Sequence, residues 1–248
     1  MKAQLRAELF KLRSTRTTLG LLAALVGLVV FVVLLHAIGL PVKELSRESN
    51  QLIVLGRGEF LAALFAALLG ALSITSEIRH GTIRPTVLIT PWRGRVVIAK
   101  VLASTVVGAA LGFVASGLAV GLGVVALRGR DITVHVTGGD YVLLVAGGAL
   151  AAALWAAIGV GVGAIVRQQV PAVVGLCAWL LFVEGLLVGD VAGVRKIGRF
   201  APGAAGQALS GQFPGVLLSA GVAGLLLAGY AIIASIGGWQ AFLRRDVS

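Results

Sequence analysis

The chain has 248 residues, of which 58% are hydrophobic and only 12% are charged. Soluble domains carry about 25% charged residues, so this chain has too few charges to cover a surface that faces water. Together with a mean hydropathy of +1.01, these values exclude a soluble globular domain and predict an integral membrane protein. The net charge of +11 does not indicate nucleic-acid binding, because the basic residues cluster at the ends of apolar segments, as expected beside an anionic cytoplasmic leaflet.

The first 17 residues predict an amphipathic helix that lies in the membrane interface. Leu5, Leu9 and Leu12 recur at helical spacing, which places them on one helix face. The basic residues of this segment fall largely on its other faces, as in helices that lie along a membrane surface.

Six apolar segments follow and predict an all-α fold with six transmembrane helices in a single domain. The first segment has 22 residues and as a helix covers about 33 Å, enough to cross the hydrocarbon core. Pro41 ends it. The predicted spans are residues 19–40, 60–76, 97–127, 141–166, 170–189 and 215–243.

Residues 190–214 form the longest stretch that connects two predicted spans. The segment from Ala201 to Gly206 is too apolar for a solvated loop, but its proline and glycines interrupt a regular helix. A pair of short re-entrant or interfacial helices on the outer side fits this composition.

The distribution of lysine and arginine predicts that both termini are cytoplasmic. With the N-terminus inside, 13 basic residues fall on the cytoplasmic side and eight on the outer side. This bias follows the positive-inside rule, and an even number of spans places the Arg244–Arg245 pair inside as well. We therefore expect a multi-pass protein of a bacterial-type plasma membrane.

The sequence contains few side chains that could catalyse a reaction or bind a cofactor or metal. The chain has no phosphate-binding loop and no hydrolase or metalloprotease motif, so we expect no enzyme activity, no bound cofactor and no metal site. The single cysteine, Cys177, excludes an internal disulfide. Glu184 is the only acidic residue within a predicted span. It either lines a transport pathway or, lying near the outer end of its span, reaches the headgroup region.

Three pairs of glycines have the four-residue spacing that allows close contact between membrane helices. They are Gly108 with Gly112, Gly117 with Gly121, and Gly159 with Gly163. With 35 glycines in the chain, such spacings also arise by chance.

The segment of residues 77–96, between the second and third spans, is the most informative. Gly81 is expected to end the second span, Thr82 to cap a short helix and Pro91 to stop it. That helix would lie across the cytoplasmic membrane face, although an ordinary basic loop would also satisfy the sequence. Nearby basic side chains, Arg93, Arg95 and Lys100, are expected to reach lipid headgroups.

Two motifs resemble the permeases of ATP-binding cassette (ABC) transporters of the type-2 exporter class. The run from Glu77 to Ile83, followed by Thr90–Pro91, Arg93 and Ala99–Lys100, is similar to the first cytoplasmic loop of these permeases. The run from Glu8 to Arg16 is similar to their N-terminal interfacial helix. The number of spans and the broken outer segment agree with this resemblance.

The resemblance implies an exporter subunit that forms the translocation pathway as a homodimer or as a heterodimer with a second permease. ATP would be bound by a separate subunit, into which a coupling helix of the 77–96 loop docks. Carried over to this sequence, the coupling region consists of Glu77, Arg79, Gly81, Thr82, Arg84, Pro91 and Arg93. The resemblance leaves the substrate open.

Two alternatives compete with this assignment. The first is a proton-coupled secondary transporter that uses Glu184, and the second is a membrane scaffold that does not transport. The predicted spans consist mostly of alanine, glycine, valine and leucine, whereas a secondary transporter places polar or ionisable groups near the midplane. The sequence therefore fits a transporter whose energy is delivered from outside the membrane better than it fits a secondary transporter.

Overall fold

The computed structural model describes residues 2–82, 93–188 and 195–244, which form helices and no strand. Two of the helices contain a π-helical turn, at Leu143–Gly147 and at Trp179–Val183. In chain order the helices are α1 (Lys2–Ser14), α2 (Arg16–Gly39), α3 (Val42–Leu45), α4 (Glu48–Leu55), α5 (Arg57–Arg79), α6 (Arg93–Arg128), α7 (Gly138–Val166), α8 (Gln169–Leu187), α9 (Arg195–Gly198), α10 (Pro202–Leu209) and α11 (Ala220–Arg244).

Six helical segments of the described residues are long and apolar enough to cross a membrane, which confirms the predicted all-α membrane fold. They are α2, α4 continued by α5, α6, α7, α8 and α11. The helix α1 precedes them, and its location in the membrane interface stays a prediction.

The largest differences from the predicted span boundaries are at the starts of the second and sixth spans. The prediction begins the second span at residue 60, but α5 begins at Arg57 and α4 extends the helical segment back to Glu48. The prediction begins the sixth span at residue 215, but α11 begins at Ala220. Gly215 has a φ of +76°, a left-handed conformation that belongs to a turn and not to a helix.

The helix α5 lies at the centre of the bundle, where it packs against α2, α6, α7 and α8. Every residue from Leu61 to Ala71 is buried. The opposing face of α7 is made of small residues, so the two backbones approach closely. A Cβ atom on Gly159 would overlap the carbonyl oxygen of Ala67, and one on Gly70 would overlap that of Ala156.

Two of the three predicted glycine pairs lie at such contacts. Gly108 and Gly112 of α6 face Ala152 and Gly148 of α7, and Gly159 and Gly163 face α5. A Cβ atom added to Gly117 or Gly121 would have no neighbouring atom within 4 Å. This third pair is not used for packing within the described part of the chain.

Polar contacts identify two ends of the bundle. At one end, the buried amide of Gln51 donates to the carbonyl oxygens of Leu45 (2.9 Å) and Thr133 (2.8 Å), and Arg130 donates to the carbonyl of Leu40 (3.0 Å). At the other end, Arg79 donates to the side-chain oxygen of Gln169 at 3.3 Å. This second end carries α1 and the beginning of the 77–96 loop, and we call it the loop end.

Candidate functional site

A buried lysine organises the loop end of the bundle. Lys100 lies two turns into α6, and its side chain is only 1% exposed. Its Nζ atom donates to Oε2 of Glu8 at 2.7 Å and to the carbonyl oxygen of Ser73 at 3.0 Å, and it lies 2.8 Å from Oε1 of Glu77. The expectation that Lys100 reaches lipid headgroups is therefore wrong, because two carboxylates hold its ammonium group inside the protein.

A second lysine completes the cluster. Lys11 of α1 donates to Oε1 of Glu8 at 2.7 Å and to Oε1 of Glu77 at 2.9 Å. The four side chains of Glu8, Lys11, Glu77 and Lys100, which we call the Lys100 network, thus alternate in charge. They join α1, the last turn of α5 and the start of α6, three elements that are far apart in sequence.

The charges of the network stabilise one another. Burial would raise the pKa of the Glu8 carboxyl, but Lys100 and Lys11 outweigh burial and hold that pKa below its usual value. Burial would likewise lower the pKa of Lys11, but its hydrogen bonds and ion pairs with Glu8 and Glu77 raise it overall. Both residues therefore keep their charges at neutral pH.

The structure places four of the predicted coupling residues at the end of α5. Glu77 belongs to the Lys100 network, and Arg79 is the last residue of α5. Gly81 has a φ of +69°, a conformation that glycine adopts readily after a helix C-terminus. Thr82 donates to the carbonyl oxygen of Glu77 at 3.4 Å. These contacts hold the first residues of the loop against α5.

The rest of the predicted coupling region cannot be placed in the same way. Arg84, Pro91 and the short helix expected between Thr82 and Pro91 lie outside the described residues. Arg93 is the first residue of α6, and its side chain also lies outside what the structure describes.

A cavity of about 450 Å³ opens beside the Lys100 network. It lies between α1, α2 and α5 and reaches the start of α8 at Gln169. Its lining combines leucines, hydroxyl groups and charged side chains. Three members of the network, Glu8, Lys11 and Glu77, thus border a space large enough to hold a ligand.

Glu184 lies inside the fold, where it is 5% exposed. Its carboxylate accepts hydrogen bonds from the backbone N–H groups of Gly203 (2.6 Å) and Ala204 (3.1 Å) and from Nε1 of Trp179 (2.8 Å). The first two donors belong to the first turn of α10, whose N-cap residue Ala201 has no side-chain cap. Glu184 therefore caps α10 from a neighbouring helix.

A second buried carboxylate corrects the expectation that Glu184 is the only acidic residue within a span. Glu59 of α5 is 2% exposed, and Nε2 of Gln212 lies 3.4 Å from its Oε2. The predicted second span begins at residue 60 and therefore leaves Glu59 outside it. The signal that was missed is the glycine at position 58, which lets α5 approach Ala115 of α6 closely.

The cysteine and the possible metal ligands do not form a further site within the described residues. Cys177 is a free, partly buried cysteine that packs against the core. Within the part of the chain that the structure describes, no three His, Cys, Asp or Glu side chains gather as metal ligands.

No protein-family model and no curated protein matches the chain.

Proposed function

We propose that the chain is the membrane-spanning permease subunit of an ATP-driven ABC exporter, coupled to a separate ATP-binding subunit through the 77–96 loop. The observation that carries this proposal is the position of Glu77. It belongs to the loop motif that resembles such permeases, and it is ion-paired both to Lys11 of α1 and to Lys100 of α6. The two motifs that suggested the family are thus joined by direct contact.

This contact suggests how force on the loop would reach the spans. The end of α5 and the start of α6 flank the loop. The Lys100 network connects both to α1, through the ion pairs Lys11–Glu77 and Lys100–Glu8. A push on the loop therefore moves three elements as a unit. Because α5 is the buried centre of the bundle, its displacement would be transmitted to the helices packed around it.

The energy source lies outside this chain in our proposal. The sequence has no phosphate-binding loop, so a partner subunit would bind and hydrolyse ATP. Two permease chains and two ATPase chains would form the transporter, with the pathway between the permeases. The loop end would face the cytoplasm, where the ATPases are.

Co-purification tests the partnership. The tagged chain, extracted gently from the membranes of its host, is expected to recover an ATPase with a phosphate-binding loop, identified by mass spectrometry. Reversing the charges of Arg84 and Arg93 together to glutamate should lower this recovery about tenfold, because both belong to the proposed docking region. The matched control reverses Lys43 and Arg47, two exposed basic residues at the opposite end, and should retain the ATPase.

Recovery of the chain alone, under detergents that preserve other ATPase complexes, would contradict the proposal. It would favour the secondary-transporter alternative, for which Glu184→Gln should abolish transport. Glu184 already receives three hydrogen bonds as a helix cap, which argues for a structural role. Recovery of the chain alone together with an absence of transport would favour the scaffold alternative.

A further inference from the structure

The residues of α5 that line the cavity become more polar toward the loop end. Along α5, Leu69 and Leu72 lie farthest from the loop end, Ser73 and Ser76 follow, and Arg79 is the last residue of the helix, where we place the mouth of the cavity. Arg79 lies ten positions after Leu69, a rise of about 15 Å along a helix. The wall therefore changes from apolar to hydroxyl-bearing to cationic over that depth.

The opposite wall repeats the same order on a different helix. Leu21 of α2 is the deepest residue, Thr17 and Thr18 come next, and Thr15 lies where the helix begins. Two helices that run side by side thus present apolar side chains at one depth and hydroxyl groups at the next. An amphiphile inserted along the helix axes would meet matching chemistry on both sides.

The charge at the mouth favours an anionic group. The carboxylates of Glu8 and Glu77 are already paired with Lys11 and Lys100. Arg79 is exposed and donates to the neutral amide oxygen of Gln169 at 3.3 Å. When Lys100 is counted with Lys11 and Arg79, three cations stand against these two carboxylates. Arg79 is positioned to bind a further acceptor such as a phosphate oxygen.

The size and location of the cavity agree with the polar part and part of one acyl chain of a lipid. Its volume of about 450 Å³ lies within the range of about 300–1,000 Å³ that is common for ligand sites. It lies at the end of the spanning helices, where the hydrocarbon of a bilayer gives way to headgroups. The order of its lining is the order of a phospholipid, from acyl chain through glycerol ester to phosphate.

We propose that this cavity binds the polar part of one phospholipid molecule, with its phosphate at Arg79 and Lys11, its glycerol beside the hydroxyl groups and the first part of one acyl chain along Leu69, Leu72 and Leu21. The rest of its hydrocarbon would lie outside the cavity, in the bilayer. This site is independent of the exporter function, since it needs neither an ATPase nor a transported substrate. The bound lipid would fill the space between α1 and the central helix α5.

Native mass spectrometry of the delipidated full chain tests the proposal with three probes. Phosphatidylglycerol is expected to bind with a stoichiometry of one. Diacylglycerol, which lacks the phosphate, and glycerol 3-phosphate, which lacks the acyl chains, should each bind at least about tenfold more weakly. Equal binding of diacylglycerol would overturn phosphate recognition, and equal binding of glycerol 3-phosphate would identify a soluble ligand in place of a lipid.

Variants separate this site from general lipid adhesion. Arg79→Gln should weaken phosphatidylglycerol binding about tenfold, the loss expected for one charge-assisted hydrogen bond. Arg13→Gln removes an exposed arginine of α1 that does not line the cavity and should leave binding unchanged. Ser76→Leu fills the cavity while keeping Arg79 and should also abolish the bound lipid. Equal effects of Arg79→Gln and Arg13→Gln, or full binding by Ser76→Leu, would overturn the proposal.

Discussion

Replacing Lys100 with methionine is expected to destabilise the chain by about 3–5 kcal/mol, the cost of removing one partner from a buried ion pair. The methionine fills similar space, so the loss comes from charge and not from a cavity. Glu8, which is 5% exposed, would keep only Lys11 as a cationic partner, and so would Glu77. The midpoint of thermal unfolding in detergent, or the yield of folded chain, measures the loss.

Two further variants distinguish the buried network from a general effect of lysine removal. Lys43→Met removes an exposed lysine of α3 at the opposite end of the bundle and should leave the midpoint unchanged. The triple variant Lys100→Met, Glu8→Gln and Glu77→Gln removes the uncompensated charges and should recover most of the stability. An unfolding midpoint for Lys100→Met alone that equals that of the unmodified chain would show that the network does not hold the loop end together.

Replacing Gly159 with alanine is expected to cost about 1–3 kcal/mol or more, because the added methyl group must be accommodated between two packed backbones. A Cβ at this position would overlap the carbonyl oxygen of Ala67, which belongs to the buried centre of α5 and cannot swing away as a side chain would. We expect α5 and α7 to separate, with a lower midpoint of thermal unfolding.

Gly117→Ala is the matched control for this prediction. Gly117 also lies within a long spanning helix and has the same four-residue spacing to another glycine, but no atom lies within 4 Å of a Cβ built there. Its replacement should be neutral, or stabilising by up to about 1 kcal/mol, because alanine has the higher helix propensity. Similar midpoints for the two variants would contradict the packing of α5 against α7.

The spans were predictable from the sequence because their signal is local. An apolar run of about 20 residues predicts a membrane-crossing helix by length alone, and all six such helices are present. The first and last residues of the spans were less predictable, since turn residues such as Gly215 and polar residues such as Glu59 lie at the span boundaries. Whether a polar residue there continues a helix depends on what packs against it.

The Lys100 network was not predictable because its members are distant in the chain. Lys100 and Glu8 are separated by 92 positions, and nothing local distinguishes a lysine that turns inward from one that reaches a headgroup. The same limit applies to Glu184, whose place in the chain gave no sign that the N–H groups of Gly203 and Ala204 would meet it. A single sequence carries composition and periodicity, but not these long-range pairs.

Photocrosslinking in intact cells of the host tests the central claim, that the loop end docks an ATPase. A photoreactive amino acid is placed at Thr82, which follows α5 at the loop end, or at Ser46, between α3 and α4 at the opposite end. We predict that Thr82 crosslinks to an ATPase with a phosphate-binding loop and that Ser46 does not. A crosslink to the ATPase from Ser46, or none from Thr82 when the chain is present at its normal level, would contradict the account.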